Sequence, residues 1–197
     1  MPKVSEEHLR ARREEILDGA ARCFARAGFH RTTVQDIAAE TGLSPGLVYR
    51  YFADKDDMVA AIATRWHEHN ERRLHVDDPG TLDAMAGSYL ALLRSIAEPG
   101  ERERVRLSLQ VWAEALRAPR IHAVAREGVD TPREVITELL RAAQARGEVS
   151  PAPPPDGLAR VFVAIYQGLE LQTAWDEGLD NEAYVRAVEA LIVSLTR

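Results

Sequence analysis

TTVQDIAAETGLSPGLVYRYFADK, running from Thr32 to Lys55, reads as two short helices joined by a tight turn. Thr33 is an N-cap with Asp36 three residues on to complete a capping box, and Val34, Ile37 and Ala38 fall on one helical face. Gly42 ends that helix, because glycine enters the left-handed conformation of a helix terminus without a Cβ clash. Ser44 then caps a second helix and Pro45 fills its first position. Within it Leu43, Leu47 or Val48, and Phe52 can pack inward, leaving Pro45, Gly46, Tyr49, Arg50 and Tyr51 at or near the surface. Two helices pinned this way form a helix-turn-helix, whose second helix enters a DNA major groove with its N-terminal residues against base edges.

The run Thr33, Ile37-Ala38, Gly42, Ser44-x-Gly46, Tyr49-x-Tyr51-Phe52 and Asp54-Lys55 closely resembles the DNA-binding signature of the tetracycline-repressor-like (TetR) family of bacterial regulators. The resemblance covers about the first third of the chain. Leu109 to Pro119, LQVWAEALRAP, is similar to the regulatory domain of the choline-responsive (BetI-like) branch of that family. The resemblance implies an all-α fold: an N-terminal three-helix DNA-binding domain over 1–53, with the helix-turn-helix at about 33–52, and a helical regulatory domain over 54–197. It implies that Thr33, Tyr49, Tyr51 and Lys55 contact phosphates and that Pro45, Gly46, Leu47 and Arg50 lie against bases. Arg50 is the candidate for a bidentate guanine contact. With Arg31 and Ser44, these residues make up the expected DNA surface.

A competing motif sits at the same place, since Gly42-Leu43-Ser44-Pro45-Gly46 formally satisfies G-x-S-x-G, the nucleophile elbow of hydrolases. An elbow needs a strand before the serine and a backbone N–H after it for the oxyanion hole. Here a helix precedes, and Pro45 has no N–H to give. No converging nucleophile, base and electrophile is recognisable elsewhere, so the chain is not expected to be an enzyme.

The 197 residues are 46% hydrophobic and 28% charged, enough for a real core in a soluble protein. No apolar run approaches the roughly 18 residues that span a bilayer, and no leader pattern opens the chain, so a cytoplasmic location is expected. The single cysteine, Cys23, falls in the apolar series Ile16, Ala20, Cys23, Phe24, Ala27 and is expected to pack in a core. A net charge of −6 argues at first against nucleic acid. Its distribution matters more: residues 1–56 hold nine Lys/Arg and nine Asp/Glu, so the whole deficit lies beyond them. A neutral head binds DNA if Arg31, Arg50 and Lys55 converge on one face.

Along the chain, Ser5 to Ala27 reads as a first helix, with Lys3, Arg10, Arg12 and Arg13 near its start as solvated charges or groove contacts. Asp54 caps a helix to about Leu74 with a Met58, Ile62, Trp66 stripe, which begins at the DNA face and so is the natural lever to the remainder. His67, Glu68, His69, His75, Asp77 and Asp78 suggest a metal site, but no histidine pair has i, i+4 spacing, and a hydrated polar face is expected instead. Pro79-Gly80 and Pro99-Gly100 bound a helix from Thr81. The next runs from Glu101 to Arg117 on Val105, Leu109, Trp112 and Leu116, and a short piece follows from Pro119 to Glu127. Thr131-Pro132-x-Glu134 reads as a capping box opening a separate helix to Gly147. SPAPPP, Ser150 to Pro155, is a stiff spacer, and Asp156 to Asp176 and Asn181 to Leu195 form two strongly apolar last helices.

Those last helices are wider in apolar surface than one core face requires, and a lone helix-turn-helix reads too few base pairs. A homodimer is therefore expected, through Val161, Ile165, Leu169, Val188, Leu191, Ile192 and Leu195, on a palindromic double-stranded DNA operator. The resemblance implies a small-molecule effector bound between the helices from Thr81 to Trp175. Tyr89, Trp112, Phe162, Tyr166 and Trp175 are the candidate lining, each also a candidate for plain core, with Glu114 or Glu170 as a counter-charge for a cation. No cofactor and no metal is expected. The alternative is a helical interaction module in which the Tyr49, Arg50, Tyr51, Lys55 surface is incidental.

Overall fold

The computed structural model describes residues 6–75, 77 and 80–195. Ser5, Lys3, Asp78 and Pro79, which carried sequence expectations, lie outside them. Among the described residues there are nine helices and no strand: α1 (Glu6–Ala27), α2 (Val34–Thr41), α3 (Pro45–Tyr51), α4 (Lys55–Leu74), α5 (Leu82–Ser95), α6 (Glu101–Ala115), α7 (Pro119–Ala145), α8 (Pro155–Trp175) and α9 (Asn181–Leu195). By packing, the chain divides into two compact units. One holds the residues up to Arg65 together with Arg106–Ala125, and the other holds Trp66–Val105 and the residues from Arg126 onward. The unit with the helix-turn-helix thus extends past residue 53 and takes in most of α6.

In the first unit, α1 turns Ile16, Leu17, Ala20, Cys23 and Phe24 inward at i, i+4, i+7 spacing. Ile37 and Ala38 of α2, Val48 of α3, and Met58 and Ile62 of α4 are buried as well, and α1 packs against α2 and α2 against α3. A large side chain buried this way contributes about 1.5–3 kcal/mol, so a few of them hold the short helices α2 and α3, which would not persist alone. Of the two residues that could point inward on α3, Val48 is fully buried and Leu47 only half. Asp54 Oδ1 accepts from the Asp57 N–H at 2.8 Å and starts α4.

The second unit centres on Leu92, Leu93 and Ile96 of the α5 end, Leu169 of α8, and Val185 and Val188 of α9. Thr81 caps α5 by accepting from the Ala84 N–H at 3.2 Å, and Asp180 caps α9 by accepting from the Ala183 N–H at 2.9 Å.

Two expectations fail here. Thr131-Pro132 opens no helix: α7 runs unbroken from Pro119 to Ala145 with Pro132 inside it. The stripe Ile121, Ala125, Val135, Ile136, Leu140, Ala143 continues through the proline at helical spacing. Burying Ile136 and Leu140 outweighs the roughly 3 kcal/mol of an interior proline. A short distance along, Gly128 gives α7 a notch filled by the His67 ring, where a Cβ would lie only 2.1 Å from Nδ1. On α6 the buried face is Val105, Leu107, Ser108, Val111 and Ala115, and Leu116, expected in the core, is 84% exposed. The inward stripe Val105, Ser108, Val111, Ala115 is offset from the expected one, and α6 ends at Ala115, so Leu116 falls outside it.

Candidate functional site

The recognition element is set by three caps. Thr33 accepts the Asp36 N–H at 3.1 Å while the Asp36 carboxylate accepts the Thr33 N–H at 2.8 Å and hydroxyl at 2.7 Å. Those bonds hold the Asp36 carboxyl below the usual carboxylate range, the Thr33 hydroxyl first and its N–H second. Gly42 ends α2 at φ 68°, a left-handed conformation in which its N–H returns to Ala38 and Ala39. Ser44 is the third cap, its side chain accepting the Leu47 N–H at 3.3 Å with Pro45 in the first turn. Ser44 is occupied as a cap, as the proline after it requires, and not as a nucleophile.

Because Val48 and Phe52 are buried, the opposite side of α3 faces outward. Ser44, Pro45, Gly46 and Arg50 are exposed, Tyr49 is 56% exposed, and Leu47 and Tyr51 are half-buried. Thr33 and Arg31 are exposed beside them in sequence, the Arg31 Nε donating to Ala27 O at 3.1 Å. Lys55 is the surprise of the set. Its ammonium donates to Phe29 O at 3.0 Å and Thr32 O at 2.9 Å and lies 4.8 Å above the Phe29 ring. Two of its three donors thus hold the α1–α2 turn. Arg13 likewise stacks 4.9 Å over the Phe52 ring.

The α1–α2 turn has a second anchor that sequence did not suggest. Gln110 of α6 accepts the Phe29 N–H at 3.1 Å, and His30 Nε2 lies 2.9 Å from Glu114 Oε1. Glu114, one of two candidate counter-charges for a ligand, is therefore a partner of His30 within the DNA-binding unit. Trp112 belongs to that unit as well.

The remaining candidate ligand residues lie in the second unit, where Tyr89, Phe162 and Tyr166 share one core cluster. Tyr89 and Phe162 meet edge to face at 5.5 Å, the Tyr89 hydroxyl donating to Phe162 O at 2.7 Å. Both line an apolar cavity of about 50 Å³ with Leu82, Asp83, Met85, Ala86, Ile136, Leu140, Val149, Ile192 and Leu195. Tyr166 is not on that lining. Trp175 is 77% exposed, on the outer stripe of α8, and is not on that lining either. Tyr166 instead accepts from Asn70 Nδ2 at 3.1 Å and donates to Glu170 Oε1 at 3.1 Å. Arg104 reaches the same Glu170 oxygen at 3.2 Å and also pairs with Glu101. Burial, and then the Glu170 charge, push the Tyr166 phenol up, so it stays a donor. Glu170, the other candidate counter-charge, is thus already neutralised.

Of the expected dimer residues, Leu169 and Val188 are buried in their own unit's core, since they sit on the inward stripe. Val161 and Leu191 are 53% and 57% exposed, and Ile165, Ile192 and Leu195 are half-buried. Leu171, Trp175 and Val193 add exposed apolar surface to the same two helices. Among the described residues no group of three or more metal-ligating side chains forms, and no helix is long and apolar enough to cross a membrane.

Residues 16–62 match the family model described as bacterial regulatory proteins, tetR family, and residues 87–197 match that of the BetI-type transcriptional repressor, C-terminal. The chain is 51% identical over 63 residues to the HTH-type transcriptional repressor Rv1474c of Mycobacterium tuberculosis, a match covering 32% of this chain and only 34% of that protein. It is 25% identical over 182 residues to the HTH-type transcriptional regulator UidR of Escherichia coli, covering 91% of this chain and 90% of the relative. A regulator from Saccharomonospora viridis, solved in complex with choline, shares the fold at TM-score 0.77 and 24% identity, covering 93% of this chain and 96% of that one.

Proposed function

The chain belongs to the tetR family of bacterial regulatory proteins and is a DNA-binding transcriptional regulator, and we propose that it is a cytoplasmic homodimeric repressor released from a palindromic operator by a small molecule. The observation that carries the DNA reading is the outward face of α3, where Pro45, Gly46, Tyr49 and Arg50 stand exposed on a helix fixed at both ends by caps. Arg50 reads a guanine edge, Tyr49, Tyr51, Thr33 and Arg31 hold phosphates, and Pro45, Gly46 and Leu47 make apolar contacts with bases. Lys55 acts chiefly by stiffening the turn below this face, since two of its donors are taken. Two copies pair through the outer stripes of α8 and α9, led by Val161, Leu171, Trp175 and Leu191, so that two heads meet successive half-sites.

Release needs an effector with unequal affinity for two arrangements of the protein. The Tyr89–Phe162 cavity is its site. A volume of about 50 Å³ is far below the roughly 300–1,000 Å³ of a drug-sized pocket, so the effector is a small one. α4, which contributes residues to both units, carries the change of arrangement to the head.

Selection of bound fragments from genomic DNA, followed by fluorescence anisotropy, tests the reading. Arg50→Ala is expected to weaken operator binding by about 1–3 kcal/mol and to relax preference at one base pair. Equal loss on operator and random DNA would remove Arg50 from readout. A chain that stays monomeric and ignores every fragment at low salt would instead be a protein-interaction module.

A further inference from the structure

The regulatory unit holds two very different interiors. In one of them Arg104, Glu170 and Glu101 are locked to one another and to Tyr166 and Asn70. The cavity beside Tyr89 is walled by aliphatic and aromatic side chains from α5, α7, α8 and α9, and among the described residues its one charged lining residue is Asp83. Asp83 lies in the first turn of α5, next to Leu82, and is exposed, so it stands at the solvent side of the cavity. Val149 also lines it, from a turn tied down by Gln144 Nε2, which donates to Ser150 O and Pro153 O at 2.9 and 2.8 Å, and by Ser150 N donating to Leu195 O at 3.1 Å.

From this pairing of a dry interior and one acid at the mouth we infer that the effector is a small amine-ended hydrophobe: an apolar body of about six carbons inside, an ammonium on Asp83 outside. The length follows from the volume, which holds roughly four waters' worth of space. The sign follows from Asp83. A carboxylate or phosphate in the same pose would meet a like charge at Asp83. An alcohol would lose the ion pair but keep the apolar contact. This inference rests on the reading of the cavity as the effector site and names the chemistry that site accepts.

Ligand-observed NMR titration of the full-length protein with hexylamine, 1-hexanol and hexanoate tests it, with DNA anisotropy measured in parallel. Hexylamine is expected to bind several-fold tighter than hexanol and at least tenfold tighter than hexanoate, and Asp83→Asn to bring hexylamine down to the level of hexanol. Because Asp83 is exposed, that variant is expected to fold, and its circular dichroism melt checks this. Ala86→Phe, which fills the cavity from α5, should abolish binding of all three. Hexanoate binding as tightly as hexylamine, or an amine preference that survives Asp83→Asn, overturns the inference. So does failure of all three compounds to bind while the protein still holds DNA, and that outcome leaves the regulator reading intact. Binding with the expected order in a protein that ignores DNA would fail the regulator reading and sustain the inference about the cavity.

Discussion

The two units are stabilised by different kinds of interaction. In the DNA-binding unit α2, α3 and α4 each start on a side-chain cap three residues away, Thr33, Ser44 and Asp54, and the ion pairs Arg22–Glu40 and Arg26–Glu40 sit on the surface. In the regulatory unit the decisive contacts join residues far apart in sequence: Asn70 with Tyr166, Arg104 with Glu170, and His67 seated in the Gly128 notch. The difference teaches where each unit is vulnerable. Local caps fail one helix at a time, whereas a buried network fails as a whole.

The sharpest way to break that comparison is to remove one charge from each unit. Glu170→Leu strands the buried Arg104 and is expected to destabilise by about 3 kcal/mol in urea melts, with Glu101 keeping the loss from being larger. Arg22→Ala removes a surface pair and should cost well under 1 kcal/mol. If the two losses are similar, the contrast between the units is false. Next in size is Gly128→Ala, where the new Cβ meets the rigid His67 ring and is expected to cost about 1–3 kcal/mol. Adding His67→Ala should return part of the loss, which a thermal melt of the double variant measures.

The smallest effects are in pH, and they separate the units. His67 is pushed below its ordinary value of 6.5 by burial, against an opposing pull from Glu127. The unfolded chain then binds the proton more readily, so His67 contributes fully above about 6.5 and that stability falls away as pH drops through it. Asp36 is depressed from 3.8, so its contribution holds above that value and is lost as pH falls through the lower folded value. Glu71, raised by burial and then by Asp77, works the other way over the carboxylate range. On acidification the regulatory unit should therefore weaken first. Difference melts of His67→Gln and Asp36→Asn against the parent locate the two windows, and reversal of their order would overturn this ranking.

Sequence alone determined the helix-turn-helix with its caps at Thr33, Gly42 and Ser44, the all-helical class and the family, because capping and helical periodicity act within a few residues and are written in adjacent letters. The same local logic failed at Thr131-Pro132 and at Leu116, where burial of a longer stripe, or the end of a helix, overrode it. Only the tertiary structure decided that Lys55 clasps the α1–α2 turn, that Glu170 and Glu114 already have partners, that Leu169 and Val188 belong to the core, and that Asp83 lines the apolar cavity. The physical reason is that a side chain's neighbours across the fold, not those along the chain, set whether its charge is free or spent and whether its apolar face is inside or out.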